Sequence, residues 1–114
     1  IDSLGDSSNT IICISSDHGE LLGDHGHFHK EKPWEGSAHV PLACMGPQSL
    51  IARRTVSQPV TIMDLAATFL DFAGLGDPAS AGLVNSTSIS LSGVLNGSVD
   101  SNRKYVSSGL GRNA

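Results

Sequence analysis

Short apolar runs alternate with long polar segments along this chain. Residues 10–15 are almost continuously apolar, which predicts a buried β-strand. Residues 40–45 form a second such run and predict another strand, with Pro41 at its start or on an edge because proline donates no ladder hydrogen bond. Between them, residues 16–33 are polar, rich in glycine and histidine, and without periodicity. A loop of this length inside a compact domain is usually functional or disordered.

Residues 61–73 carry the clearest helical pattern. Thr61 and Asp64 resemble a capping box at its beginning, and Gly74 suits the position after its last turn. Asp64 and Asp71 are interpreted as charges on the helix surface. The apolar residues that recur at helical spacing, and are predicted to face the core, are Ile62, Leu65, Ala66, Phe69, Leu70 and Ala73.

The last third of the chain has weaker signals. Residues 76–88 are predicted to form a loop, residues 89–95 a short helix or turn, and residues 104–107 the start of another strand. The order of strand, loop, strand and helix indicates an α/β fold. Two or three strands and one helix cannot cover both faces of a parallel sheet, so residues 1–114 are interpreted as a piece of a larger domain that is marginal alone.

Composition excludes some functions. The chain has 114 residues, a net charge of −4 and seven scattered lysines and arginines, which is unlike a nucleic-acid-binding surface. Its apolar runs are far shorter than the ~20 residues that span a bilayer. Cys13 and Cys44 lie in apolar segments and are predicted to be buried free thiols, with a disulfide as the alternative. Asn85 and Asn96 begin glycosylation triplets, which are compatible with a secretory or lysosomal route.

Asp17 and His18 directly follow the first predicted strand, where α/β sheets bind ligands. A carboxylate and an imidazole can turn toward one ion there, and Gly19 permits a sharp change of chain direction. Oxygen ligands suit Ca²⁺ and Mg²⁺, whereas an imidazole shifts the preference toward Mn²⁺ or Zn²⁺. Lys30 is a candidate contact for an anionic ester oxygen, and Lys32 is its competitor.

The histidines of the polar loop allow a different interpretation. His25, His27 and His29 alternate and could form a zinc site. His25 and Glu20 are also candidates for supporting a metal site at Asp17 and His18 from outside the ligand set. Glu20 is otherwise expected to stabilise the loop rather than act as a general base, and Trp34 is expected to pack the loop against the domain.

Three segments together resemble the sulfatase family of the alkaline phosphatase superfamily. They are the string SDHGELLGDHG at residues 16–26 with Lys30 after it, the string WEGSAHVPL at residues 34–42, and the helical segment at residues 58–74. The resemblance covers residues 8–96 and implies the later part of the catalytic domain. The fold it implies is a fragment of an alkaline-phosphatase-like α/β/α sandwich.

The function that this resemblance implies is metal-dependent hydrolysis of a sulfate ester on a small molecule or glycan. Asp17 and His18 match a metal-ligand pair of the family, and Lys30 matches a lysine that contacts the sulfate group. The metal is commonly Ca²⁺, with Mn²⁺ and Mg²⁺ as alternatives. A secretory, lysosomal or extracellular location is favoured. Family members use a formylglycine nucleophile made from a Cys or Ser.

Several family features are missing from the chain. The early motif of Cys or Ser followed by x-Pro-Ser-Arg is absent, as is the early aspartate pair, and His39 stands where members often have Arg. No nucleophile is therefore assigned, and the isolated chain is expected to be inactive. Since phosphonate monoester hydrolases also use an Asp-His pair, a phosphonate or phosphate ester hydrolase is the first alternative. A non-catalytic metal-binding module is the second.

Overall fold

A computed structural model of the chain describes residue 3, residues 5–76, residue 82, and residues 87–100 and 103–108. It divides into two compact units, residues 1–12 with 44–106, and residues 13–43 with 107–114. Single 3₁₀ turns cover Ser7–Asn9 and Asp24–Gly26. The regular elements are β1 (Ile12–Ser15), α1 (Glu35–Ala38), β2 (Leu42–Met45), α2 (Asp64–Phe72) and α3 (Ser92–Asn96).

The two predicted strands are confirmed, and β1 and β2 pair in a two-stranded sheet. Their predicted burial is only partly correct, because Ile14 is 64% exposed and Met45 is 61% exposed. The helices predicted near residues 61–73 and 89–95 are α2 and α3, while α1 was not predicted. Residues 104–107 form no strand, so that prediction is wrong. Most of the predicted loop at residues 76–88, including Asn85, lies outside the described residues.

The prediction of free thiols is wrong. Cys13 and Cys44 are the only two cysteines of the chain, and both are disulfide-bonded. Cys13 lies on β1 and Cys44 on β2. Pairing of two strands brings residues that are distant in sequence within the few ångströms that a disulfide requires. The spacing of cysteines in the sequence does not reveal such pairing.

The buried face of α2 differs from the face that its apolar periodicity predicts. Asp64, Ala67 and Thr68 are the buried residues of this helix, whereas Phe69 is 46% exposed. The hydroxyl of Thr68 donates to the carbonyl of Asp64 at 2.6 Å and accepts from the backbone N–H of Leu91 at 2.9 Å. These bonds satisfy the polar atoms of the buried face, which makes its burial tolerable.

Asp64 is fully buried, which contradicts its prediction as a surface charge. Its carboxylate accepts hydrogen bonds from both terminal nitrogens of Arg103, from the N–H of Thr61 at 2.9 Å and from the N–H of Ile89 at 3.0 Å. The Thr61 bond is one half of the predicted capping box. Burial raises the pKa of Asp64, but the hydrogen bonds from Arg103, Thr61 and Ile89 outweigh burial and hold the pKa below its ordinary value.

Other features of this unit agree with the predictions. Asp71 is exposed, as expected, and accepts hydrogen bonds from the hydroxyls of Ser90 and Ser92. Gly74 adopts a φ of 70° just after α2, as a left-handed helix cap does. The exposed side of α2 borders an apolar groove of about 310 Å³. The groove is lined by Asn9, Ile11, Pro47, Leu50, Phe69, Phe72 and Ala73.

Candidate anion and metal site

Asp17 and His18 follow β1 after the single residue Ser16, where the backbone is no longer a strand. The Nδ1 atom of His18 is 2.8 Å from the carbonyl oxygen of Gly19, and the backbone N–H of His18 donates to Asp17 Oδ1 at 3.0 Å. A carbonyl oxygen only accepts, so Nδ1 carries the proton and Nε2 keeps its lone pair in the neutral ring. This lone-pair nitrogen lies 3.5 Å from Asp17 Oδ2.

That separation suits two ligands of one cation. Two donor atoms at about 2.3 Å from an ion and at right angles to each other stand about 3.3 Å apart. The Asp17 side chain is 82% exposed and that of His18 is 37% exposed, so an ion has access to both. Among the residues that the structure describes, no group of three or more His, Cys, Asp or Glu side chains could hold a metal. In the described part of the chain, Asp17 and His18 are therefore two candidate ligands that are not joined by a third side chain of these types.

Lys30 is electrostatically linked to this pair. Desolvation raises the pKa of Asp17, but the electrostatic interaction with His18, the backbone hydrogen bonds at residues 17 and 18, and the ammonium of Lys30 together outweigh it. The pKa of Asp17 consequently lies below its ordinary value, and the carboxylate is ionised at neutral pH. The structure thus places a carboxylate and an imidazole 3.5 Å apart, and the ammonium group of Lys30 acts electrostatically on the carboxylate.

Gly19 anchors the turn that follows the pair. Its N–H donates to the carbonyl of Ser37 at 2.8 Å, and a Cβ atom at this position would lie 2.1 Å from the carbonyl oxygen of Gly36. Glycine is required here by close backbone contact with α1, rather than by the change of direction that the sequence suggested. The hydroxyl of buried Ser37 in turn donates to the carbonyls of Lys32 and Trp34.

The polar loop is closed by hydrogen bonds between its two ends. The N–H of Leu21 donates to the carbonyl of His29 at 3.0 Å, and the N–H of Gly23 donates to the carbonyl of His27 at 2.8 Å. A carboxylate oxygen of Glu20 accepts from the N–H of His29. Glu20 therefore stabilises the loop, as expected, and the residue it holds is the one directly before Lys30.

The histidines of the loop lie against an aromatic ring. The His25 ring is tilted by 58° relative to the Trp34 ring, with 4.5 Å between their centroids, and His27 meets the same ring edge-on at 5.0 Å. Trp34 thus packs against this loop, as predicted. His25 Nε2 is also 3.8 Å from a carboxylate oxygen of Asp24. The described residues contain no group of three His, Cys, Asp or Glu side chains that could hold a zinc ion, and no hydrogen bond or ion pair within that part of the chain joins His25 to Asp17 or His18.

Two contributors were missed from the sequence, namely the backbone of Gly36 and the buried hydroxyl of Ser37. The sequence carries no signal for the first of them, because the contact of Gly19 is with the backbone carbonyl oxygen of residue 36, which any residue would present. His39, at the position where an arginine is common, has its Nδ1 in hydrogen-bond contact with a carboxylate oxygen of Glu35, one helical turn earlier.

Comparison with known proteins places these features in a family context. A family model described as Sulfatase matches residues 1–75. Arylsulfatase K from Homo sapiens is 48% identical over 69 residues, which is 60% of this chain and 13% of that protein. Arylsulfatase K from Danio rerio is 42% identical over 79 residues, covering 69% of this chain and 14% of that protein. An arylsulfatase from Clostridium perfringens is 38% identical over 79 residues, with 67% and 16% covered.

A solved structure supports the same relationship. The protein BT4656, in complex with its substrate D-glucosamine-2-N,6-O-disulfate, superposes with a TM-score of 0.71 at 37% sequence identity. The superposition covers 83% of this chain and 18% of that one, and it confirms the α/β fragment. The chain spans between 13% and 16% of the length of these curated relatives. None of the helices in the described segments has the length and apolarity needed to cross a bilayer.

Proposed function

Since this chain belongs to the sulfatase family, we propose that it is the later segment of a catalytic domain that hydrolyses sulfate esters. The proposal rests on one observation. Asp17 Oδ2 and His18 Nε2 stand 3.5 Å apart, and the positive charge of Lys30 helps to lower the pKa of the same carboxylate, which supports a combined site for a cation and an anion. An ester sulfate bound to a divalent cation is the chemical species that such a combination fits.

Each side chain has a distinct task in this proposal. Asp17 and His18 hold the cation, for which the carboxylate favours Ca²⁺, with Mn²⁺ and Mg²⁺ as alternatives. When bound, the cation supplies Lewis-acid polarisation of a sulfate oxygen. Lys30 donates hydrogen bonds to another sulfate oxygen and stabilises the negative charge there. The chain contains no Cys or Ser in the nucleophile motif, so residues 1–114 alone are proposed to be inactive.

The substrate class and the location extend this proposal. BT4656 acts on a doubly sulfated glucosamine, which supports a sulfated sugar or another sulfate ester of a small molecule as the substrate. Cys13 and Cys44 are disulfide-bonded, and disulfides persist in oxidising compartments. This supports the secretory, lysosomal or extracellular location, with the exposed Asn96 available as a glycan acceptor.

Calorimetric titration of the chain with Ca²⁺ and Mn²⁺ tests the metal pair. We expect Asp17→Asn and His18→Ala each to weaken binding by more than about tenfold, since even supporting residues contribute that much. His27→Ala is the matched control, because it removes an imidazole from the same loop without touching the pair. Equal affinities in the wild-type chain and both pair variants would refute the proposal.

Two further titrations separate the alternatives. Tight Zn²⁺ binding that is lost in His27→Ala and His29→Ala, yet retained in Asp17→Ala, would favour the metal-binding module. With Mn²⁺ bound, addition of inorganic sulfate or of methylphosphonate is followed through the NMR signal of Lys30. A response to methylphosphonate at a lower concentration than to sulfate would favour the phosphonate hydrolase.

A further inference from the structure

We propose that Glu20 is a positioning residue for Lys30, which it directs toward Asp17 and His18 by fixing the backbone of His29. This inference rests on the proposed function, because it concerns the same anion site. Glu20 itself does not touch substrate in this proposal. It acts through the residue that precedes the lysine.

The backbone of His29 is held at both of its polar atoms. Its N–H donates to a carboxylate oxygen of Glu20, and its carbonyl accepts from the N–H of Leu21 at 3.0 Å. His29 has a φ of 65°, in the left-handed region that non-glycine residues rarely adopt. Such a conformation persists only where the surrounding structure imposes it. Two consecutive residues, Glu20 and Leu21, impose it here.

The consequence for Lys30 follows from chain connectivity. The dihedral angles of His29 set the direction in which the next residue leaves the loop. If His29 relaxed to an ordinary extended conformation, the Lys30 side chain would point along a different direction from the same backbone. The interaction with Glu20 is charge-assisted and therefore stronger than a hydrogen bond between neutral groups.

The backbone on the Glu20 side of this hydrogen bond is fixed as well. Glu20 follows Gly19, whose N–H donates to the carbonyl of Ser37 and whose position beside the backbone of Gly36 leaves no room for a Cβ atom. His18, the imidazole of the metal pair, is bonded through Nδ1 to the carbonyl of the same Gly19. The carboxylate of Glu20 thus connects a rigid point beside the metal pair to the residue before Lys30. These contacts set the distance and direction of the Lys30 ammonium group relative to Asp17 and His18.

Paramagnetic NMR on the full chain tests this assignment. Mn²⁺ is added to chain labelled at the lysine ε-carbons, and line broadening is followed at Lys30, with Lys32 and Lys104 as internal references. We expect Mn²⁺ to broaden His18 and Lys30 in the wild-type chain. In Glu20→Ala, His18 stays broadened while Lys30 loses at least half of its broadening. Glu20→Gln keeps an acceptor oxygen and restores most of the effect at Lys30.

Amide hydrogen exchange gives a second measurement that needs no metal. Loss of the Glu20 acceptor is expected to speed exchange of the His29 amide by about tenfold. The two possible failures are distinguishable. If Mn²⁺ does not broaden the His18 resonances of the wild-type chain, the proposed metal pair is overturned. Equal Lys30 broadening in the wild-type and Glu20→Ala chains, or unchanged His29 exchange, would overturn the role of Glu20 alone.

Discussion

Replacing Arg103 by methionine leaves a charged carboxylate inside the protein. Asp64 is fully buried, and Arg103 supplies two of the hydrogen bonds that its oxygens accept. Methionine approximates the length of the arginine side chain but has no donor. The variant therefore isolates the loss of charge and hydrogen bonding from the loss of packing.

The cost can be estimated from the contacts. Removing one partner of a buried ion pair costs about 3–5 kcal/mol, because the remaining charge is neither solvated nor paired. Arg103 retains 14% exposure, and the N–H groups of Thr61 and Ile89 still donate to the carboxylate after the substitution. Both facts favour the lower end, about 3 kcal/mol. A domain that is stable by 5–15 kcal/mol would lose much of its margin.

Urea unfolding followed by circular dichroism measures this loss. With a slope of about 1.5 kcal/mol per molar, the midpoint of the Arg103→Met chain is expected to fall by about 2 M. Arg54→Met is the matched control, since Arg54 pairs at 3.0 Å with Asp100, whose side chain is 67% exposed. Exposed pairs contribute at most about 1 kcal/mol. Equal losses in both variants would show that burial of the Asp64 carboxylate adds nothing, and the reasoning would fail.

Three further outcomes are expected in the same unfolding assay. The folded pKa of Asp64 lies below its ordinary 3.8, so its contribution is complete above that pH and is lost as the pH falls through the folded value. The stability difference between wild-type and Arg103→Met chains should consequently narrow from pH 7 to pH 3, and a constant difference would contradict the pKa direction. Gly19→Ala should lower the free energy of unfolding by about 1–3 kcal/mol, because the new Cβ would overlap the backbone of Gly36. Gly36→Ala is the control and should be tolerated, because its new Cβ would meet nothing closer than 3.4 Å. Equal stabilities of the two variants would exclude the proposed contact. Thr68→Val should lower the free energy of unfolding by about 1–3 kcal/mol, because it leaves the buried backbone N–H of Leu91 without its acceptor. An unchanged stability would contradict this prediction and would mean that water replaces the hydroxyl.

Local chemistry was predictable from the sequence, whereas long-range polar contacts were not. The two strands and α2 depend on neighbouring residues, and each was found where the sequence indicated. The orientation of α2 depends on Arg103, which lies 39 residues from Asp64. The apolar periodicity of residues 61–73 contains no information about that partner. It therefore assigned the wrong face of the helix to the core.

The candidate site also combines features that depend on neighbouring residues with contacts between residues distant in sequence. The family motif identified Lys30, but its placement depends on the hydrogen bond between Glu20 and His29, nine residues apart across the loop. Three non-glycine residues of this loop, Leu22, His25 and His29, have positive φ values. Sequence propensities disfavour that conformation for such residues, so no local rule anticipates it. The disulfide escaped prediction for a related reason, because strand pairing determines it.

The apolar groove beside α2 has a practical consequence for solution work. Phe69 is nearly half exposed there, and Leu50 on the groove wall is 38% exposed. Contiguous apolar surface of this kind attracts other apolar surface in water. By mass action, the fraction of associated chains rises with protein concentration. Spectra of the separate chain should accordingly be recorded as a dilution series, with line widths extrapolated to the lowest concentration before any metal is added.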